Sequence, residues 1–337
     1  MVTTAPPSPS RPDERAGGRR GLFGSSDVRR GAGGLAVPGV LVLLFTLFAV
    51  MSPQIFFTGT NLRVMITGQA IALLLALAAT IPLRAGDFDL SISSVMIMSG
   101  VIVGVLTGHG VSPGVAYLLA IASGVAVALV NALFVVVFGI DGLIVTLGML
   151  TILTGLAGFL ADNQIVTTIP EGLQSFVTLP FLGLPLVVWI GWALAVVAWY
   201  VFEFTPIGRY LLFVGGNRNS AKLAGLRVTA LRFGAFIVAG SLSALAGLLL
   251  AGTLGSIDPT SGHAYLLPPF TAAFLGASAI QLGRFNIVGT VTGLYLLAVG
   301  ITGLQLLGVE SWIAEVFNGA CLIIAVGFSR LLRARST

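Results

Sequence analysis

About ten apolar runs, each near the length needed to cross a bilayer, follow one another between residues 35 and 329. A spanning helix needs roughly 20 predominantly apolar residues, with a range of about 17–25. The runs are 35–57, 64–82, 90–108, 115–138, 143–161, 184–203, 233–254, 269–282, 287–306 and 312–329. Each must close its backbone hydrogen bonds internally, because the bilayer interior offers no water to do it. The expectation is an all-α polytopic membrane protein with about ten transmembrane helices. The eighth run is short and carries "GAS" at 276–278, so it is expected to be tilted or broken. Composition agrees: 9% of residues are charged, against about 25% in soluble domains. The 44 glycines suit closely approaching membrane helices.

The charges that remain are informative by position. Lys and Arg prefer cytoplasmic flanks. With the N-terminus inside, the tail arginines, Arg84, the 205–232 loop, Arg284 and Arg330, Arg333 and Arg335 all fall inside, and Arg63 alone falls outside. The loops 162–183 and 255–268, with Asp162, Glu171 and Asp258, fall outside. Both termini are therefore expected in the cytoplasm. Residues 1–34, rich in Pro, Gly, Ser and Arg, read as a disordered cytoplasmic tail. Residues 35–330 read as the membrane domain and 331–337 as a second cytoplasmic tail. "RRGLFG" at 19–24 reads as a basic flank, since the apolar run after it is too long for an export signal. The basic residues flank apolar spans and form no isolated patch, which argues against nucleic-acid binding. Cys321, the only cysteine, lies in an apolar run and reads as a small buried hydrophobe.

Two polar islands interrupt this pattern. The first, "GGNRNSAKLAGL" at 215–226, lies in the largest cytoplasmic loop. Gly215 and Gly216 suggest a turn. Asn217 or Asn219 can cap a helix start, and Gly225 stands where a terminating glycine belongs. A helix of about two turns is expected, too short to persist alone in water. It is either a topology-anchoring loop or a docking knob for a cytoplasmic partner. The second island, "LRAGDFDLSISS" at 83–94, puts Arg84, Asp87 and Asp89 at a span boundary. Carboxylates near membrane depth pair with a cation or face a cavity. Either Arg84 pairs with an Asp and fixes the hairpin, or a broken helix lies here beside a translocation path. "IDPTSGHAYLLPP" at 257–269 interrupts the second half at a corresponding place, the pattern of inverted repeats around a central pathway. Asn131, Thr146 and Thr151 are polar groups within spans, fit to line a path or to bond a neighbouring helix. Gly100, Gly104 and Gly108, like Gly289 and Gly293, are expected to mark close helix packing.

Catalytic machinery is not apparent. Lys222, the only lysine, does not end a Gly-x-x-x-x-Gly-Lys-Ser/Thr loop, so ATP hydrolysis of that type cannot reside in this chain. His109 and His263 lie far apart, and no metal, cofactor or Ser–His–Asp constellation is evident.

Several stretches together resemble the ribose-type ABC importer permeases. "GDFDLSISSV" (86–95) is similar to that family's Gly-x-x-Asp-Leu-Ser-x-x-Ser-Val signature, and "GRYLLFVGGNRNSAKLAGLRV" (208–228) to its cytoplasmic coupling segment. "LIVTLGML" (143–150), "AFLGAS" (273–278) and "NIVGTVTGLYLLAVGITGLQLLGV" (286–309) resemble further helices in the same order. The resemblance implies a dimer of permease copies in the bacterial cytoplasmic membrane. It also implies a separate cytoplasmic ATPase and an extracytoplasmic binding protein that delivers a pentose or hexose. It would make Gly215, Gly216, Asn217, Ala221, Lys222 and Gly225 the ATPase-coupling element. Asp89, Leu90 and Ser91 match the second motif, and Asp87, Asp89, Ser91, Asn131 and Thr146 become candidates for the translocation path. The chain departs from the family at Asp87 and Ser93, where it has an extra carboxylate and lacks a glycine. It departs again at Tyr265–Pro268, where acidic residues are common. An ABC permease for nucleosides or another small polar solute shares the same mechanism. A proton- or sodium-coupled secondary transporter using Asp87 and Asp89 is the alternative from a different class, and a membrane scaffold is a third.

Overall fold

The computed structural model describes residues 34–281 and 283–334. The expected N-terminal tail lies outside the described residues except for Gly34, as does Arg335; Arg330 and Arg333 are described only as helical backbone. The described residues are mostly helical. In order the helices are α1 (Ala36–Met51), α2 (Gly59–Gly68), α3 (Ala70–Arg84), α4 (Ile92–Gly108), α5 (Pro113–Ala132), α6 (Gly142–Leu160), α7 (Glu171–Thr178), α8 (Leu186–Phe204), α9 (Pro206–Gly216), α10 (Arg218–Leu223), α11 (Val228–Leu254), α12 (Leu267–Ala277), α13 (Ile287–Leu306) and α14 (Ile313–Ala334). A π-helical turn, Leu133–Val137, extends α5. Before α8 a two-residue hairpin, β1 (Pro180–Phe181) with β2 (Leu184–Pro185), pairs antiparallel, Pro180 opposite Pro185.

Six segments are long and apolar enough to cross a membrane: Gly59–Arg84, Pro113–Val137, Gly142–Leu160, Leu186–Phe204, Val228–Leu254 and Ile287–Leu306. Three shorter apolar helices, Ala36–Met51, Ile92–Gly108 and Ile313–Gly327, accompany them. The protein is thus an all-α, multi-pass membrane protein. The eighth apolar run is interrupted after "GAS": α12 has 11 residues, about 16 Å at 1.5 Å per residue. Asn286 holds the interruption together. Its Nδ2 donates to the carbonyls of Gly276, Ala279 and Arg284, and its Oδ1 accepts from the Gly289 N–H at 2.7 Å, capping α13.

The core is built around α11, which packs along α3, α4 and α5. Every residue of α3 except Ala72 is buried. Small residues set the close crossings. A Cβ on Gly289 or Gly293 would strike the carbonyls of Gly276 and Ala272 across the α12–α13 crossing. The Gly100–Gly104–Gly108 face of α4 meets something other than the expected helix along most of its length. Gly104 and Gly108 abut Val166 and Thr168 of an extended segment, and only Gly100 faces α11. That segment is fastened to the second half by an antiparallel bridge, Val166 to Ile257, with both N–H···O distances 2.9 Å.

The 205–232 stretch is more helical than expected. Pro206, whose missing N–H costs nothing in a first turn, starts α9, and Gly215 and Gly216 are its last residues rather than a turn. The turn falls at Asn217, which has extended backbone. Glycine is needed at 215 for another reason: a Cβ there would collide with the Arg84 carbonyl.

Candidate functional site

Two of the islands read from the sequence meet in space. Pro82, in the last turn of α3, leaves its carbonyl to the N–H groups of Ala85 and Asp87. Gly86, at φ +78°, then turns the chain into the 85–91 linker and lies against Gly215. Asp87 is thereby buried, 4% exposed, and its carboxylate receives two arginines. Arg232 of α11 donates in the two-pronged manner, Nε to Oδ2 and Nη2 to Oδ1, both at 2.7 Å. Arg218 of α10 donates through Nη2 to Oδ1 at 2.8 Å and to the Gly86 carbonyl at 2.8 Å. Planar guanidinium against carboxylate is the strongest ion-pair geometry available to a protein. Arg232 and Asp87 form the buried part of this arrangement, and removing one partner of a buried pair costs about 3–5 kcal/mol.

The cation expected for this carboxylate, Arg84, is not the one observed. Arg84 donates instead to three main-chain carbonyls, Gly208 at 3.1 Å, Phe285 at 2.9 Å and Phe202 at 3.2 Å, and stacks 4.3 Å from the Phe202 ring centroid. Its side chain ties the end of α3 to α8, to α9 and to the segment just before α13. The charge–charge partnership falls to Arg218, from the 215–226 island, and Arg232, which the sequence marks only as part of the basic 205–232 loop.

Asp89, 2% exposed, forms a tight turn just ahead of α4: its Oδ1 accepts from the Ser91 N–H at 3.1 Å and Oγ at 2.6 Å. Ser91 Oγ accepts from Asn131 Nδ2 of α5 at 2.9 Å. The Leu90 N–H donates to Thr146 Oγ1 of α6 at 3.0 Å, and that hydroxyl donates to Gly142. Asp89, Ser91, Asn131 and Thr146 therefore belong to one buried cluster binding the linker to α5 and α6. Thr151 does not join it; its hydroxyl bonds Leu147 within α6.

The 215–226 element forms as a compact knob. Asn217 Oδ1 accepts from the N–H groups of Asn219 and Ser220, both at 3.0 Å, so Asn217 rather than Asn219 caps the six-residue α10. Gly225, at φ +79°, ends it in the left-handed conformation that glycine adopts without steric cost. Ala221 is buried against Val214 and Val228, anchoring one face. Lys222 and Leu223 face outward. Leu223 is 92% exposed, the most exposed large apolar side chain among the described residues. The sequence reading missed it, because Leu223 lies among Ala221, Ala224 and Leu226 and nothing local tells which of these apolar residues stays exposed. Beside the knob opens a cavity of about 870 Å³ whose lining includes Arg84, Gly86, Arg209, Asn217, Ser220 and Arg284. Arg84, Arg209, Arg218, Arg232 and Arg284 thus gather around one end of the helix bundle.

A bundle of membrane-length helices with a capped polar knob at its basic end, braced to the interior by a buried ion pair, defines a polytopic membrane protein. The chain belongs to the branched-chain amino acid transport system / permease component family, which matches residues 61–326. It is similar to the ribose import permease protein RbsC of Escherichia coli K12, with 30% identity over 85% of this chain and 90% of that protein. The Bacillus subtilis ribose import permease protein RbsC is 32% identical over 86% of this chain and 90% of its own. The L-arabinose ABC transporter permease protein AraH of Azospirillum brasilense is 30% identical over 88% of each. No solved structure matches the chain.

Proposed function

We propose that this chain is the membrane-spanning subunit of an ATP-driven importer in a bacterial cytoplasmic membrane, moving a small pentose- or hexose-like sugar into the cytoplasm. The sugar is handed over by an extracytoplasmic binding protein, and ATP is hydrolysed on a separate cytoplasmic subunit. Two permease copies enclose the path, and about ten membrane passages leave both termini in the cytoplasm. The arginines around the α10 end support that orientation, since basic residues mark the cytoplasmic side.

The observation that carries this reading is Leu223. A fully exposed leucine on a short, capped, internally anchored helix is an unfilled apolar contact, suited to a groove on the ATPase. Arg218 and Asp87 join that helix to the 85–91 linker, and Arg232 joins the same carboxylate to α11. Force on α10 therefore reaches α3, α4 and α11 together, as coupling to a partner's closure requires. An ion-coupled transporter would need a carboxylate free to exchange its cation. Asp87 is held by two arginines and Asp89 by Ser91, which favours the ATP-driven reading.

The test is a mild-detergent pull-down of the tagged chain. The wild type brings down a P-loop ATPase in comparable amount, while Leu223→Asp and Gly225→Trp lose it with membrane insertion unchanged. ATPase retained by both variants, or absent from the wild type, overturns the reading.

A further inference from the structure

A second cavity, of about 270 Å³, lies at the far end of α3 from the ion pair. The 15 residues of α3 separate the two places by about 22 Å. Irregular backbone converges on it from both halves of the chain. On one side is the junction of α2 and α3 at Gly68–Gln69, where one apolar segment of 26 residues is divided into two helices. On the other is the Tyr265–Pro269 start of the short helix α12. Interrupted helices at membrane depth persist where they are buried in protein or line a water-filled cavity, and in transporters such breaks mark solute sites.

A few polar side chains are set into a mainly apolar lining. Thr302 and Gln305 lie on the same face of α13 as Ala298 and Ile301, and Gln69 and Asn318 contribute two more hydrogen-bonding side chains. Asn318, on α14, is 7% exposed, and its Oδ1 has no hydrogen-bond partner among the described residues. A buried amide oxygen left unpaired costs about 1–3 kcal/mol. Thr67 Oγ1 and Asn131 Oδ1 are unpaired too among the described residues, but of the three only Asn318 lines this cavity, where a group arriving from outside can reach it. Leu294 and Leu297 supply an apolar wall and Tyr265 an aromatic one. A monosaccharide offers the complement: hydroxyls around its edge for the amides, and C–H faces for the aliphatic and aromatic walls. The volume falls just under the roughly 300–1,000 Å³ of pockets for drug-sized ligands, right for a single small sugar.

We infer that this cavity is a contact site for the transported sugar, held through Gln69, Gln305 and Asn318. The inference rests on the sugar-import reading and adds the location and chemistry of a contact within the membrane domain. It also gives a role to Tyr265–Pro268, where the chain departs from the family pattern.

The test uses the full chain with its ATPase and binding protein in membrane vesicles. Initial ATP-dependent uptake of radiolabelled D-ribose, L-arabinose and D-allose is measured. Asn318→Leu should lower uptake about tenfold, the loss of one to two well-made hydrogen bonds, with ATPase co-purification and membrane level unchanged. Gln305→Leu, at an exposed position that folding tolerates, should lower it several-fold. Both should change the ratio of rates among the three sugars, which a purely structural defect would leave constant. Wild-type rates and ratios in both variants overturn the inference while leaving the import reading standing. A wild type that moves none of the three sugars overturns both.

Discussion

The two ends of α3 differ in whether the polar groups that face their cavities are matched. At the Arg84 end the charges are matched, the Asp87 carboxylate by two guanidinium groups and Arg84 by three carbonyls, while the Asn131 Oδ1 of the adjoining cluster is left unpaired among the described residues but lines neither cavity. At the Gln69 end, the Asn318 amide oxygen stands beside a cavity with nothing bonded to it. A satisfied network is stiff, because any movement breaks strong bonds in a medium of low dielectric. An unsatisfied group that lines a cavity is one a ligand can pair. The difference separates a force-bearing end from a solute-holding end, and it can be broken or sharpened by substitution.

The largest effect is expected at the ion pair. Arg232→Met leaves Asp87 buried with only the half-exposed Arg218, and should cost about 3–5 kcal/mol, read as a lower unfolding midpoint in detergent. Adding Asp87→Leu should recover most of that stability yet leave uptake impaired, which would separate bracing from coupling. Uptake restored by the double variant would show that the pair only holds the fold.

Next comes the close contact between α9 and α3. Gly215→Val must push the chain away from the Arg84 carbonyl, at about 1–3 kcal/mol. Its signature would be weakened ATPase co-purification together with faster proteolysis near residue 215. A smaller loss, about 1 kcal/mol, is expected when Asn217→Ala removes the α10 cap. Amide exchange confined to residues 218–224 would reveal it. Arg218→Gln should change global stability by less than about 1 kcal/mol, because its side chain is 43% exposed.

The smallest stability change should lie at the other end and have the opposite sign. Asn318→Leu removes an unpaired polar atom from the interior, so its unfolding midpoint should match or exceed that of the wild type even as uptake falls. A marked destabilisation would instead make Asn318 a structural residue and erase the contrast between the ends.

How much of this was legible beforehand follows from the range of each interaction. The run 287–306 coincides with α13, and 143–161 lies one residue from α6. Apolar length is a local property, and the bilayer imposes it segment by segment. The cap at Asn217 and the terminating Gly225 were also legible, because both act within a few residues. The partners of Asp87 were not. Arg218 and Arg232 stand 131 and 145 positions away in the chain, and nearby Arg84 offered itself as the obvious partner. Gly215 shows the same limit: its glycine reads as a turn, yet what demands it is the Arg84 carbonyl brought in from another helix.

The sequence by itself determined that this protein lives in a membrane, that it is helical, and that 215–226 forms a capped element apart from the apolar runs. Those outcomes depend on solvent and on neighbours a few residues away. Only the tertiary structure decided which arginines meet Asp87, which leucine is left exposed on the knob, and which amide oxygen is left unpaired beside a cavity. Each of these depends on helices far apart in sequence being packed side by side, and pairing at that range is set by the packing of the whole bundle.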